Sequence, residues 1–224
     1  MKIRLTTFFC TAGLLVLMLA PLTSCARDSA LRGRFVRHRM QSRAPRQQAP
    51  VTLPPGVRVV HDVAYGHDPA QRFDVYMPLD AVRAPVIVLV HGGAWKDGDK
   101  ANRGVVQNKV ARWTPRGFII LSVDYPMLPD TAPLQQAKNV GRALAVAQRR
   151  AAEWGGDSGR FILMGHSAGA HLVTLLTAEP SMAYAEGAHP WLGTVSLDSA
   201  SLNVVQTMEG RHLPLYDKAF GDNP

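Results

Sequence analysis

Arg160-Phe161-Ile162-Leu163-Met164-Gly165-His166-Ser167-Ala168-Gly169-Ala170-His171-Leu172 reads as a buried strand, a tight turn and the start of a helix. The apolar run before Gly165 is short and bounded by polar residues, which suits a strand covered on both faces. Gly165-His166-Ser167-Ala168-Gly169 fits the G-x-S-x-G pattern, in which a strained turn holds a serine hydroxyl at the carboxyl end of a strand. The two glycines leave room for the following helix to pass close to the strand. The N–H of Ala168 faces the same space. This pattern arises by chance in roughly one in fourteen chains of such length, so its surroundings decide its meaning.

On either side of this stretch, residues 57–63, 72–77, 85–90, 118–123, 160–164 and 193–197 are expected as strands, and 101–113, 134–154 and 168–178 as helices. Alternation in Phe73-Asp74-Val75-Tyr76-Met77 suggests a half-exposed strand, whereas the β-branched run 85–90 suggests a fully buried one. Asp157 and Gly159 read as stop and turn signals after the long helix. Strands that alternate with helices imply an α/β fold, with a mostly parallel sheet flanked by helices. In such sheets, chemistry collects beyond the carboxyl ends of the strands.

A second motif stands at that edge. His91-Gly92-Gly93-Ala94-Trp95 follows the buried run 85–90 directly. Its two glycines let backbone N–H groups turn towards an anion. With the Ala168 N–H they would hold the oxyanion of a tetrahedral intermediate. Ser167 is therefore the candidate nucleophile, and Gly92, Gly93 and Ala168 are the candidate oxyanion donors.

With both motifs in strand contexts and in this order, the chain resembles α/β-hydrolase esterases of the HGGxW type. These include carboxylesterase and hormone-sensitive-lipase-like enzymes, kynurenine formamidases and bifunctional feruloyl/acetyl-xylan esterases. The resemblance runs from about residue 57 to the end and extends to Gly98-Asp99-Lys100, Gly156-Asp157 and His171-Leu172. Ala170 stands where many relatives have a third glycine, and Asp124-Tyr125-Pro126 where many have Tyr-Arg. The resemblance implies a serine hydrolase that cleaves carboxylic esters of small substrates without a metal or other cofactor. His91 and Trp95 would support the oxyanion loop. It also implies an acid and a histidine base roughly 80 and 110 residues after the nucleophile. Only 57 residues follow Ser167, so both are expected beyond residue 224, with the last two strands of the α/β-hydrolase sheet absent from 57–224. His91, His166, His171, His189 and His212 are weaker candidates for the base, and Asp198 for the acid. Two other readings use the same residues: a formamide or amide hydrolase with this machinery, and a catalytically incomplete binding protein. A third, an interaction lipoprotein, works through the amino-terminal segment alone.

That segment reads as an address. Lys2 and Arg4 precede an apolar run from Leu5 to Leu22, and Leu22-Thr23-Ser24-Cys25 resembles a bacterial lipobox. Residues 1–24 are expected as a lipoprotein signal peptide, and 25–56 as a lipidated Cys25 with a basic flexible tether. The domain proper spans 57–224, and the protein is expected on a lipid anchor at the bacterial cell envelope. Seven Arg between Arg27 and Arg46 weigh against easy translocation. Labelled palmitate should enter the protein and be lost in Cys25→Ala; an unlabelled wild-type protein contradicts the anchor. Residues 1–50 carry nine Lys/Arg and one Asp, so they account for the whole formal net charge of +8. The folded part is neutral and has no charge excess to attract nucleic acid. Cys10 would leave with the signal and Cys25 would be acylated, which leaves no thiol for a disulfide or a metal.

Overall fold

A computed structural model of the protein describes residues 49–199 and 201–221. The expected signal peptide, Cys25 and most of the tether lie outside the described residues.

Six strands form one mixed sheet: β1 (Val57–Ala64), β2 (Arg72–Pro78), β3 (Ala84–Val90), β4 (Ile119–Val123), β5 (Gly156–His166) and β6 (Gly193–Leu197). Their spatial order is β1-β2-β4-β3-β5-β6. β1 pairs with β2, and β2 with β4, antiparallel; β4, β3, β5 and β6 run parallel. The helices are α1 (Arg103–Trp113), α2 (Pro133–Arg150), α3 (Ala168–Ala178), α4 (Ser181–Tyr184), α5 (Val204–Glu209) and α6 (Pro214–Phe220).

The period of two along each strand sorts side chains onto two faces. Val86, Val88 and Val90 join Ile119, Leu121, Phe161 and Leu163 in one core, with Val140 and Leu144 of α2 and Leu172 and Val173 of α3. Ile87, Leu89, Ile120 and Met164 point the other way, onto Val106 and Val110 of α1. β3 therefore has apolar residues on both sides, as its β-branched run implies.

Several expected boundaries shift for local reasons. α1 starts at Arg103 rather than 101, because the Asn102 side chain accepts from Gly104 N and caps it. The long helix ends as α-helix at Arg150 and tightens into a 3₁₀ turn, Ala151–Trp154, closed by Gly155 in the left-handed region (φ 76°). Asp157 and Gly159 do not end an element: they lie inside β5, which starts at Gly156 opposite Ala84. α5, which carries no strong apolar period, is capped by Asn203, whose side chain accepts from Gln206 N.

β2 is not half-exposed. Phe73, Val75 and Met77 are fully buried, and Asp74 and Tyr76 on the opposite face are each 1% exposed. The alternation was real, but the polar position faces Lys100 rather than water. β2 is also flanked on both sides, by β1 and β4.

Candidate functional site

β5 ends at His166 and α3 begins at Ala168, so Ser167 alone makes the turn between them. Its backbone sits at φ 53°, ψ −119°, a conformation that costs an L-residue about 1–3 kcal/mol and persists only where its surroundings enforce it. The surroundings here do so. Ser167 N donates to Leu197 O of the neighbouring β6 (2.9 Å), and Ser167 O accepts from His171 N in the first turn of α3 (3.1 Å). A Cβ on Gly169 would run into the carbonyl oxygens of Val90 and His91, so α3 lies directly against the end of β3. Among the described residues the Ser167 hydroxyl makes no hydrogen bond, and the residue is partly exposed.

The loop 91–100 after β3 folds over this turn. Gly93, Ala94 and Trp95 have φ of 133°, 55° and 60°, so three successive residues leave the usual backbone regions. The curl closes on Gly93 O, which accepts from Lys96 N (3.2 Å) and Asp97 N (2.9 Å). Gly92 abuts the serine: a Cβ there would stand 2.6 Å from His166 O and 2.8 Å from Ser167 Cβ. Trp95 is fully buried against His171, Tyr216 and Phe220. Its carbonyl accepts from Leu128 N (2.9 Å) and from Gln136 Nε2 (2.7 Å). Trp95 thus anchors the loop in the core. Among the described residues, none of the backbone hydrogen bonds outside helices and strands is donated by Gly92, Gly93 or Ala168. Ala168 is also the first residue of α3, where an N–H has no partner within the helix. Unused donors gathered beside a bare hydroxyl can receive an oxygen that gains negative charge as the hydroxyl attacks.

The candidate bases and acids are placed less favourably. His91 is 1% exposed and stacks on Tyr125, with ring centroids 4.5 Å apart. Its Nδ1 lies 2.8 Å from Gly92 O, and Tyr125 Oη donates to its carbonyl (2.8 Å), so it braces the loop. The His166 ring lies against Gly92. His189 lines a cleft of about 270 Å³ with Gln148 and Gly156, at the start of β5 and so at the opposite edge of the sheet from Ser167. Both ring nitrogens of His212 are engaged, one with Gly210 O (2.8 Å) and one with Asp217 Oδ1 (2.7 Å). Asp198 follows β6 directly with φ 51°, and the β5–β6 register aligns His166 with Leu197. Asp198 therefore falls level with Ser167, and it is exposed. Asp99 caps a turn through Ala101 N (2.6 Å).

His171 belongs to the core. It is 8% exposed, with Trp95 and Phe220 set edge-on around it. Trp95 Nε1 approaches its Nδ1 at 3.4 Å, so the lone pair there is already occupied. Burial pulls its pKa from the ordinary histidine value of 6.5 to about 4. The unfolded chain therefore takes up a proton before the folded one does. Stability is fully present above about pH 6.5 and declines as pH falls towards 4, by about 3 kcal/mol from this group. Urea midpoints at pH 7 and pH 4.5 should differ more in the wild type than in His171→Gln. Equal differences would contradict the buried neutral ring.

Sequence reasoning missed four residues around the loop. Lys100 was visible only as part of Gly98-Asp99-Lys100, and Asp124 only as a departure from the common pattern. Asp62 and Asp74 gave no signal, since an acid in an alternating strand ordinarily points to water.

The BD-FAE family profile matches residues 73–205. Esterase LipC of Mycobacterium tuberculosis is 37% identical over 135 residues, 58% of this chain and 33% of LipC. Isoprenylcysteine alpha-carbonyl methylesterase ICME of Arabidopsis thaliana is 32% identical over 124 residues, 54% of this chain and 28% of the relative. The chain spans about a quarter to a third of the length of the curated relatives it matches. The crystal structure of esterase B from Lactobacillus rhamnosis is similar with a TM-score of 0.59 at 19% identity, over 88% of this chain and 64% of that one. The fold is that of the α/β-hydrolases.

Proposed function

Because the chain belongs to the BD-FAE family, we propose that it is a serine hydrolase that cleaves carboxylic esters of small substrates through an acyl-enzyme on Ser167. The observation that carries this reading is the contact between the Ser167 turn and the Gly92–Gly93 loop, which sets a hydroxyl beside unused N–H donors. Ser167 Oγ attacks the ester carbonyl, and its proton passes to a general base. The carbonyl oxygen becomes an oxyanion held by the N–H groups of Gly92, Gly93 and Ala168. The tetrahedral intermediate collapses and the alcohol leaves with a proton. Water then attacks the acyl-serine and releases the acid. Among the described residues no histidine is hydrogen-bonded to Ser167 Oγ: His91 braces the loop, the His166 ring lies against Gly92, His171 is in the core, His189 lies at the opposite edge of the sheet, and both ring nitrogens of His212 are engaged elsewhere. The esterase and methylesterase names of relatives at 37% and 32% identity support an ester as substrate.

In this reading the enzyme works at the cell envelope, held by a lipid on Cys25; Leu22-Thr23-Ser24-Cys25 after an apolar run supports that placement. Release of nitrophenol from p-nitrophenyl butyrate by the full-length gene product, dependent on Ser167, tests the activity. Turnover of an anilide or formamide but not the ester would move the assignment to amide hydrolysis. A protein that turns over neither contradicts the reading.

A further inference from the structure

The loop 91–100 carries the proposed oxyanion donors, yet Gly92 and Gly93 have no side chains with which to hold position. What fixes the loop must act at its ends. His91 opens it, its carbonyl accepting from Tyr125 Oη (2.8 Å), and Lys100 closes it against the Asp124 carboxylate. Asp124 Oδ1 accepts from Lys100 N (2.6 Å); among the described residues His91 Nε2, 3.5 Å from it, has no hydrogen-bond partner. Asp124 is itself pinned at the end of β4: its N–H donates to Arg72 O (2.9 Å), and its carbonyl accepts from Tyr65 Oη (2.6 Å).

Lys100 extends this join into the sheet. Its carbonyl accepts from Ser122 Oγ of β4 (2.6 Å). Its Nζ sits 3.0 Å from Asp62 Oδ1 and 3.2 Å from Asp74 Oδ1. The irregularity in β1 between Val60 and Val63 contains His61 and Asp62, and Asp62 has φ 57°. The bulge turns this pair towards Asp74, so that Asp62 N donates to Asp74 Oδ1 (3.0 Å) and His61 Nδ1 meets Asp74 Oδ2 (2.8 Å). The Asp74 side chain is 1% exposed and that of Lys100 12%. Burial would draw the Lys100 ammonium down, but its bonds to Asp62 and Asp74 outweigh that and hold its pKa above the usual lysine range. A buried carboxylate with this many partners at one loop end is an over-determined joint, as a loop that must not drift requires.

We propose that Asp124 and Lys100 are positioning residues for the oxyanion loop: the Asp124 carboxylate holds the loop's closing end through Lys100 N, and the Lys100 ammonium, between Asp62 and Asp74, fixes that end to β1 and β2. The inference rests on the oxyanion role given to Gly92 and Gly93. Neither residue touches substrate; each acts through the placement of the Gly92 and Gly93 N–H groups.

The test compares Asp124→Asn, which keeps an oxygen for Lys100 N–H, with Asp124→Ala, which removes it. Hydrogen–deuterium exchange of the segment 91–100 should rise at least about tenfold in Asp124→Ala while β3 stays protected. kcat for p-nitrophenyl butyrate should fall about 10²-fold with KM within about threefold, since a displacement of about 1 Å has that effect on a reacting centre. Asp124→Asn should recover most of both losses. If Asp124→Ala does not fold, Asp124→Glu, with its carboxylate moved by one methylene, should show the same two changes in smaller measure. Unchanged exchange over 91–100, or unchanged kcat, in a folded Ala or Glu variant overturns the proposal. The exchange result stands without catalysis, so a wild type inactive on esters would sink the functional reading while exchange still decides this one.

Discussion

Ser167→Ala should lower kcat for a short p-nitrophenyl ester by about 10⁴–10⁶-fold, the loss seen when the nucleophile of a covalent serine mechanism is removed. The size follows from what remains. The loop 91–100 and the Ala168 N–H would still polarise a bound carbonyl, but with no oxygen to add to it the acyl-enzyme cannot form. The fold should barely respond. Among the described residues the Ser167 hydroxyl makes no hydrogen bond, and alanine meets the same backbone constraint at φ 53°. Thermal unfolding should therefore stay within about 1 kcal/mol of the wild type. A variant that keeps a tenth of the activity would remove Ser167 from the chemistry. A variant that loses both activity and stability would make its role structural.

Gly92→Ala should cost about 10²–10³-fold in kcat, the scale of a lost oxyanion donor. The new methyl group would sit 2.6 Å from His166 O and 2.8 Å from Ser167 Cβ, closer than packed atoms tolerate. His166 and Ser167 are held by β5, by β6 and by the start of α3, so the loop is the part that yields. As it moves away, the Gly92 and Gly93 N–H groups move away from the carbonyl oxygen, and KM changes much less than kcat. Gly193→Ala in β6 is the control, since a Cβ there meets nothing within 4 Å; it should keep wild-type kinetics. Wild-type kcat in Gly92→Ala would show that the loop does not hold the oxyanion.

The features that the sequence made legible are local ones. A strand, a serine turn and a helix follow one another in 13 residues, from Arg160 to Leu172, and each is encoded by its own pattern. The loop glycines are equally local, because Gly92 and Gly93 directly follow a run apolar enough to be a central strand. The parallel arrangement of β3 to β6 followed from the alternation of strands and helices. What stayed hidden depends on residues distant in sequence. Asp74 looked solvent-facing because nothing near it announces Lys100, 26 positions later. The bulge that turns Asp62 towards that pair leaves no mark in the sequence. His171 stood among the weaker candidates for the base, because the Trp95 and Phe220 rings that bury it come from other parts of the chain. Asp157 and Gly159 misled because turn formers can also sit at the irregular start of a strand, where Gly159 N donates to Asp157 Oδ1 (3.0 Å).

The most direct test of the central claim is the mass of the tryptic peptide that contains Ser167 after exposure of the protein to an alkyl fluorophosphonate. Such a reagent places a P=O where the ester carbonyl would lie. One phosphonyl group per molecule is expected, located on Ser167, with labelling slowed about 10²-fold or more in Gly92→Ala and absent in Ser167→Ala. A label on any other residue, or an intact unlabelled protein under conditions that saturate a known serine esterase, would contradict it.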